Sequence, residues 1–151
     1  VKLIIPDALH EGLQRYLEGA FPNEAGGFLI GTVDGDTRTV TETRFVENIF
    51  ATEEQYHRYL MENGAFQAAE DDADARGLTL IGYFHSHPNS PAIPSEFDRV
   101  HALPHFIYLI LSVQQRRAVD SLVWLLADDR SRFVPVAFEE TSTIAQGETK
   151  R

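Results

Sequence analysis

Thr79-Leu80-Ile81-Gly82-Tyr83-Phe84 runs directly into His85-Ser86-His87-Pro88. The first six residues have the apolar, aromatic composition of a buried strand, and side chains two apart on a strand point to one face. His85 and His87 therefore project together. Pro88 cannot donate to a sheet ladder and is expected to end the strand, which sets both imidazoles at its mouth, near solvent. After a Pro-broken segment from Asn89 to Pro94, Ser95 reads as the N-cap of a helix running from Glu96 toward Leu103, with Asp98 in its first turn. Two imidazole nitrogens and one carboxylate oxygen make a three-ligand set with a fourth position left for water, the pattern of catalytic rather than structural zinc.

Each part alone also has an ordinary structural use. Solvent-facing histidines occur at strand ends, and a serine with a carboxylate three residues on satisfies a helix N-terminus as a capping box. Joined as His85-x-His87, seven residues, Ser95, two residues and Asp98, the set resembles the metal-binding signature of the JAMM metallopeptidases, carried on MPN domains. That signature includes an upstream glutamate in a Gly-rich segment leading into an apolar strand. Pro22-Asn23-Glu24-Ala25-Gly26-Gly27-Phe28-Leu29-Ile30-Gly31 supplies it at Glu24. Gly26 stands where family members often carry cysteine, a position outside the motif.

The resemblance implies zinc held by His85, His87 and Asp98, with Glu24 as general base and Ser95 as donor to the oxyanion. It implies cleavage of an amide or isopeptide bond, commonly after the Gly-Gly C-terminus of ubiquitin or a ubiquitin-like protein. The chain looks like the compact, stand-alone members of the family, which act on sulfur-carrier proteins or small modifiers. Whether the released group is an amino acid, a peptide or a protein stays open. The main alternative is a non-catalytic MPN scaffold that binds protein partners; a metallo-amidase for small molecules differs only in substrate.

Composition narrows the remaining possibilities. A chain of 151 residues with 43% hydrophobic content suits one globular domain, over residues 1–140, followed by a polar tail over 141–151. There is no cysteine, so disulfides, thiolate metal sites and cysteine nucleophiles are excluded. That also excludes the zinc nucleobase deaminases, which need a His/Cys/Cys-type site. A net charge of -10, from 13 basic and 23 acidic residues, argues against binding nucleic acid. No apolar run reaches the roughly 20 residues of a membrane span, and no signal-peptide pattern opens the chain, so a cytoplasmic location is expected. Oligomeric state is not legible.

In chain order, Lys2 to Ile5 is a short strand. Asp7 is the expected cap of a helix with its apolar stripe at Leu9, Leu13, Tyr16, Leu17 and Ala20. His10 falls off that stripe and is expected in solvent. Strands from Ala25 to Val33 and Arg38 to Asn48 flank the hairpin signal Asp34-Gly35-Asp36. Ile49 to Asn63 reads as a loop with a short helical turn and, with Asn89 to Pro94, is a candidate wall for a substrate groove. Ala65 to Arg76 is helical, with Gly77 as C-cap and an acidic run, Glu70, Asp71, Asp72 and Asp74, on a solvated face. His101 and His105 flank the site without joining the ligand set. Phe106 to Val113, Val119 to Leu126 and Phe133 to Phe138 are the closing strands, and Trp124 is assigned to the core by default. The fold class is α/β, a single domain with a curved mixed sheet flanked by helices, in agreement with the MPN fold that the resemblance implies.

Overall fold

The computed structural model describes residues 1–48 and 63–142. β1 (Lys2–Pro6) leads into α1 (Asp7–Ala20), then β2 (Gly26–Asp34), β3 (Thr37–Val46) and α2 (Asn63–Ala75). β4 (Thr79–Pro88), α3 (Glu96–His101), β5 (Ile107–Gln114), β6 (Arg117–Leu126), β7 (Phe133–Pro135) and β8 (Ala137–Thr141) follow. The strands form one mixed sheet in the order β7-β6-β5-β4-β2-β3-β1-β8, as the curved α/β sheet expected from sequence requires. The segment 49–62 lies outside the described residues, as does the tail beyond 142.

Strand alternation sorts the core onto two faces. Leu29, Ile81, Phe84, Leu109 and Leu111 pack with Leu13 and Leu17 of α1, whereas Phe28, Ile30 and Leu80 pack with Ala69 and Ala73 of α2. Gly77, at φ +72°, takes the left-handed conformation that ends a helix, as the sequence indicates. The acidic run on α2 is not simply solvated. Asp72 accepts from Arg44 at 2.7 Å and from Arg76 at 2.8 Å, which ties α2 to β3.

Three local expectations are corrected. Asp7 is the first residue of α1 rather than its cap, and the N-cap position is Pro6, with no side-chain cap bond. Asp7 instead places a negative charge against the positive end of the helix dipole. The stretch from Phe133 to Phe138 is two strands, β7 paired with β6 and β8 paired with β1. Pro135 has no N–H to continue a ladder, and Val136 donates its own N–H to Val123 O at 2.9 Å as the chain crosses. Since β7 and β8 end the strand order yet are separated by one residue, the sheet curls until its two edges meet.

His10 is the third correction, because it is buried with 5% of its surface exposed. Its Nδ1–H donates to Glu140 on β8 at 2.9 Å, and its Nε2 accepts from the Ser121 hydroxyl on β6 at 2.9 Å. The ring also meets Phe138 edge-on. One side chain of α1 thus bridges β6 and β8 across the seam where the curled sheet closes. Replacing His10 with alanine should lower stability by about 2–3 kcal/mol, since two polar partners and a buried ring lose their contacts together. Chemical denaturation measures this, and a loss below ~0.5 kcal/mol, as for an ordinary surface residue, would reject the clasp.

Candidate metal centre

β4 delivers the two histidines. It lies between β2 and β5, with His85 in register with Gly26 and Ile110. Tyr83 packs toward α2 while Phe84 packs toward α1, so alternation sends His85 and His87 to the α2 face and Ser86 to the α1 face. Both imidazoles are buried, at 8% and 6% exposure.

α3 delivers the carboxylate. Ser95 caps it: Asp98 N–H donates to Ser95 Oγ at 3.1 Å, and Ser95 N–H donates to Asp98 Oδ2 at 2.8 Å. The capping box therefore aims Asp98 as well as starting the helix. Asp98 Oδ2 is 3.0 Å from His87 Nε2, and Asp98 Oδ1 is 3.2 Å from His85 Nε2. The two Nε2 atoms are 3.2 Å apart.

These atoms fit a shared cation. The Nδ1–H of His87 donates to Pro91 O at 2.9 Å, which leaves its Nε2 as a lone pair in the neutral ring, directed at a carboxylate oxygen and a second ring nitrogen. Tetrahedral zinc with bonds of ~2.0–2.1 Å has ligand–ligand edges of about 3.3–3.4 Å, close to the separations observed. The fields within the cluster point the same way. Burial raises the Asp98 pKa, but the charges and hydrogen bonds of His85 and His87 outweigh it and hold the carboxyl far below the usual range. Burial lowers the His85 pKa, and the Asp98 carboxylate, with a further contribution from Glu24, overcomes that and raises it.

Glu24 stands two residues before β2, near the cluster. It is 7% exposed, its charge acts on His85, and its backbone carbonyl accepts from Asn48 Nδ2 at 2.9 Å. The approach depends on Gly26, where a Cβ would lie 2.2 Å from the Phe84 carbonyl oxygen. Among the described residues, His85, His87 and Asp98 form a three-donor group without Glu24, so the glutamate is a neighbour of the group rather than a member. Of the five residues singled out in the sequence, His85, His87, Ser95 and Asp98 are joined by direct contacts, and Glu24 lies near enough for its charge to act on His85.

His101 turns away, donating from Nδ1 to Phe97 O at 2.9 Å, and His105 bonds through its backbone carbonyl to Arg38 at 2.6 Å. Trp124 is half-buried rather than core, because its Nε1–H donates to Ala92 O at 3.0 Å. It straps the loop after the histidines, as Ser112 does through a 2.6 Å bond to Ser90 O. Arg130 also serves the site, from a turn that carries no motif. Its guanidinium donates to Ala102 O at 2.8 Å and Val100 O at 3.2 Å, and Arg99 donates back to Arg130 O at 2.8 Å. α3 buries none of its residues, so these bonds hold its C-terminal end. No local pattern announces such partners, which lie about 30 residues away in sequence.

A three-donor cluster with a buried carboxylate nearby, at the mouth of a strand in a mixed α/β domain, is the donor set that a metallohydrolase uses. Residues 6–125 match the family described as prokaryotic homologs of the JAB domain. The chain belongs to that family and is a JAMM-type hydrolase. It is 36% identical over 114 residues to the desampylase of Haloferax volcanii, covering 73% of this chain and 79% of that protein. The solution structure of a protein from Desulfitobacterium hafniense superposes with a TM-score of 0.79 at 27% identity, covering 93% of each chain. That of a Salinibacter ruber protein gives 0.68 at 31% identity, covering 93% of this chain and 92% of that one. Among the described residues no helix is long and apolar enough to cross a membrane.

Because Arg130 fixes the helix that carries Asp98, Arg130→Ala is expected to weaken divalent-metal binding about tenfold while the fold survives. A zinc titration against a competing chelator measures it. Undiminished affinity would mean that the capping box alone suffices.

Proposed function

We propose that this protein is a zinc-dependent isopeptidase that hydrolyses an amide bond after the Gly-Gly C-terminus of a ubiquitin-like or sulfur-carrier protein. The observation that carries the reading is the convergence of His85, His87 and Asp98 at 3.0–3.2 Å beside a buried Glu24. The similarity to a desampylase supports a ubiquitin-like substrate. Held by His85, His87 and Asp98, zinc would supply an activated water, by lowering its pKa toward neutrality, and a Lewis acid for the scissile carbonyl.

The protein's own residues do the rest. Glu24 takes a proton from the attacking water and returns it to the departing amine, which a carboxylate kept out of bulk solvent is suited to do. Ser95 Oγ uses a lone pair to receive the Asp98 N–H, which leaves its hydroxyl hydrogen to donate to the developing oxyanion. Asp98, held ionised by the two imidazoles and by Ser95 N–H, serves as ligand rather than acid. The strapped loop from Asn89 to Pro94, with Ile93 57% exposed, is a wall against which an extended tail lies.

The roles separate by substitution. Glu24→Gln should retain one zinc per chain and lose turnover by about 10²–10⁴, whereas Asp98→Asn should lose the metal. Ser95→Gly costs a helix cap only a few tenths of a kcal/mol and keeps the backbone N–H that holds Asp98 Oδ2, so it should keep fold and zinc and lose on the order of 10²–10³ in turnover. Mass spectrometry of Gly-Gly-linked carrier fusions and of small amides reads the cleavage, and metal analysis reads the zinc. Full activity in Glu24→Gln would remove the base, and failure of the wild-type protein to take up zinc would return the scaffold reading.

A further inference from the structure

The residue between the two histidines has no role in the reading above. Ser86 is fully buried, and strand alternation turns it away from the metal face. It nevertheless touches the segment that carries Glu24. Ser86 N–H donates to Ala25 O at 3.0 Å, continuing the β2–β4 ladder by one rung past the Gly26–His85 pair. In a regular antiparallel rung the partner N–H would return to the Ser86 carbonyl. Here Ala25 N–H donates instead to the Ser86 hydroxyl oxygen, at 3.1 Å.

We infer that Ser86 is a positioning residue for Glu24: its hydroxyl replaces a backbone carbonyl in the last rung, so that the chain can leave the ladder at Ala25 and bring the preceding carboxylate over the metal face. Both backbone polar groups of Ala25 are then fixed by a residue whose neighbours on either side are His85 and His87. On the β4 side, Glu24 is thereby tied to the ligand pair through this rung, without a contact between the serine and the substrate, while Asn48 holds its carbonyl from the other side. A buried N–H that lost this acceptor would have to find another, and the chain at Ala25 would move to do so. The inference rests on the proposed role of Glu24 as base.

The experiment compares zinc- and cobalt-loaded Ser86→Ala, Ser86→Thr, Glu24→Gln and the Ser86→Ala/Glu24→Gln double variant with wild type. For a Gly-Gly-linked carrier fusion, Ser86→Ala should lower kcat roughly 10–100-fold, the cost of an ångström-scale misplacement, with KM and metal content unchanged. Ser86→Thr, which keeps the hydroxyl, should recover most of the loss. In the Glu24→Gln background Ser86→Ala should cost nothing further. At fixed pH the visible cobalt spectrum of Ser86→Ala should move toward that of Glu24→Gln, a readout that does not need turnover. Should the alanine variant fail to fold, Ser86→Cys, close to isosteric with a poor acceptor, carries the same comparisons.

Unchanged kcat and spectrum in folded Ser86→Ala would overturn the inference, as would loss of metal, which would mean that residue 86 serves the ligands rather than Glu24. If Glu24→Gln itself leaves both kcat and spectrum as in wild type, the base assignment fails first. A silent Ser86→Ala beside an inactive Glu24→Gln sinks the positioning role alone.

Discussion

Two ring nitrogens and a carboxylate crowd together at 3.0–3.2 Å at the end of β4, and with both rings neutral and Asp98 ionised that cluster carries an uncompensated negative charge and converging lone pairs. With His87 Nδ1–H committed to Pro91 O, lone pairs face one another across a gap of the size a small cation fills. A proton shared among the three relieves the conflict, which is the sense of the opposed shifts of His85 and Asp98. A divalent ion relieves it more completely, since it satisfies all three donors at once. Much of the surrounding structure holds these atoms against their mutual repulsion.

That holding is divided between the two faces of the sheet. The α1 face is apolar and closed, with α1 packed on the β4 and β5 side chains and His10 clasping the seam between β6 and β8. It makes β4 rigid. The opposite face carries the chemistry, and its parts are secured by discrete polar bonds: the capping box at Ser95, the guanidinium of Arg130, and the carbonyls of Ser90, Pro91 and Ala92 tied respectively to Ser112, His87 and Trp124. The polar bonds are directional, so each fixes an orientation that apolar packing would leave free.

Legibility in the sequence follows the range of the interaction. His85 and His87 sharing a face is a two-residue periodicity, and Asp98 beside Ser95 is a three-residue capping pattern, so both can be read locally. Glu24 lies 61 residues from His85 and is visible only through the family motif, because nothing in its own neighbourhood distinguishes it from a turn residue. His10 is misread because an apolar stripe describes one helix against one face. Its partners, Ser121 and Glu140, are 111 and 130 residues away and converge only when the sheet curls. The split of Phe133 to Phe138 has the same origin: an apolar run reports strand character and carries no record of which edge each half will join. Ser86 and Arg130 show nothing in sequence because their side chains bond to backbone atoms of distant segments, which every residue has.

The thin cover over the metal face has its own logic. α3 has six residues, none buried, and presents Val100 to solvent, a poor investment for stability in so small a helix. A longer helix packed by apolar contacts would hold Asp98 as firmly, but it would bury the fourth position that a hydrolytic site must leave open to water and to a polypeptide tail. Capping box and arginine clamp provide orientation without coverage. The ligand helix is therefore anchored at its two ends with no residue fully buried between them, so its stability is bound up with the geometry of the site. Loosening either end moves a ligand atom before it unfolds anything else.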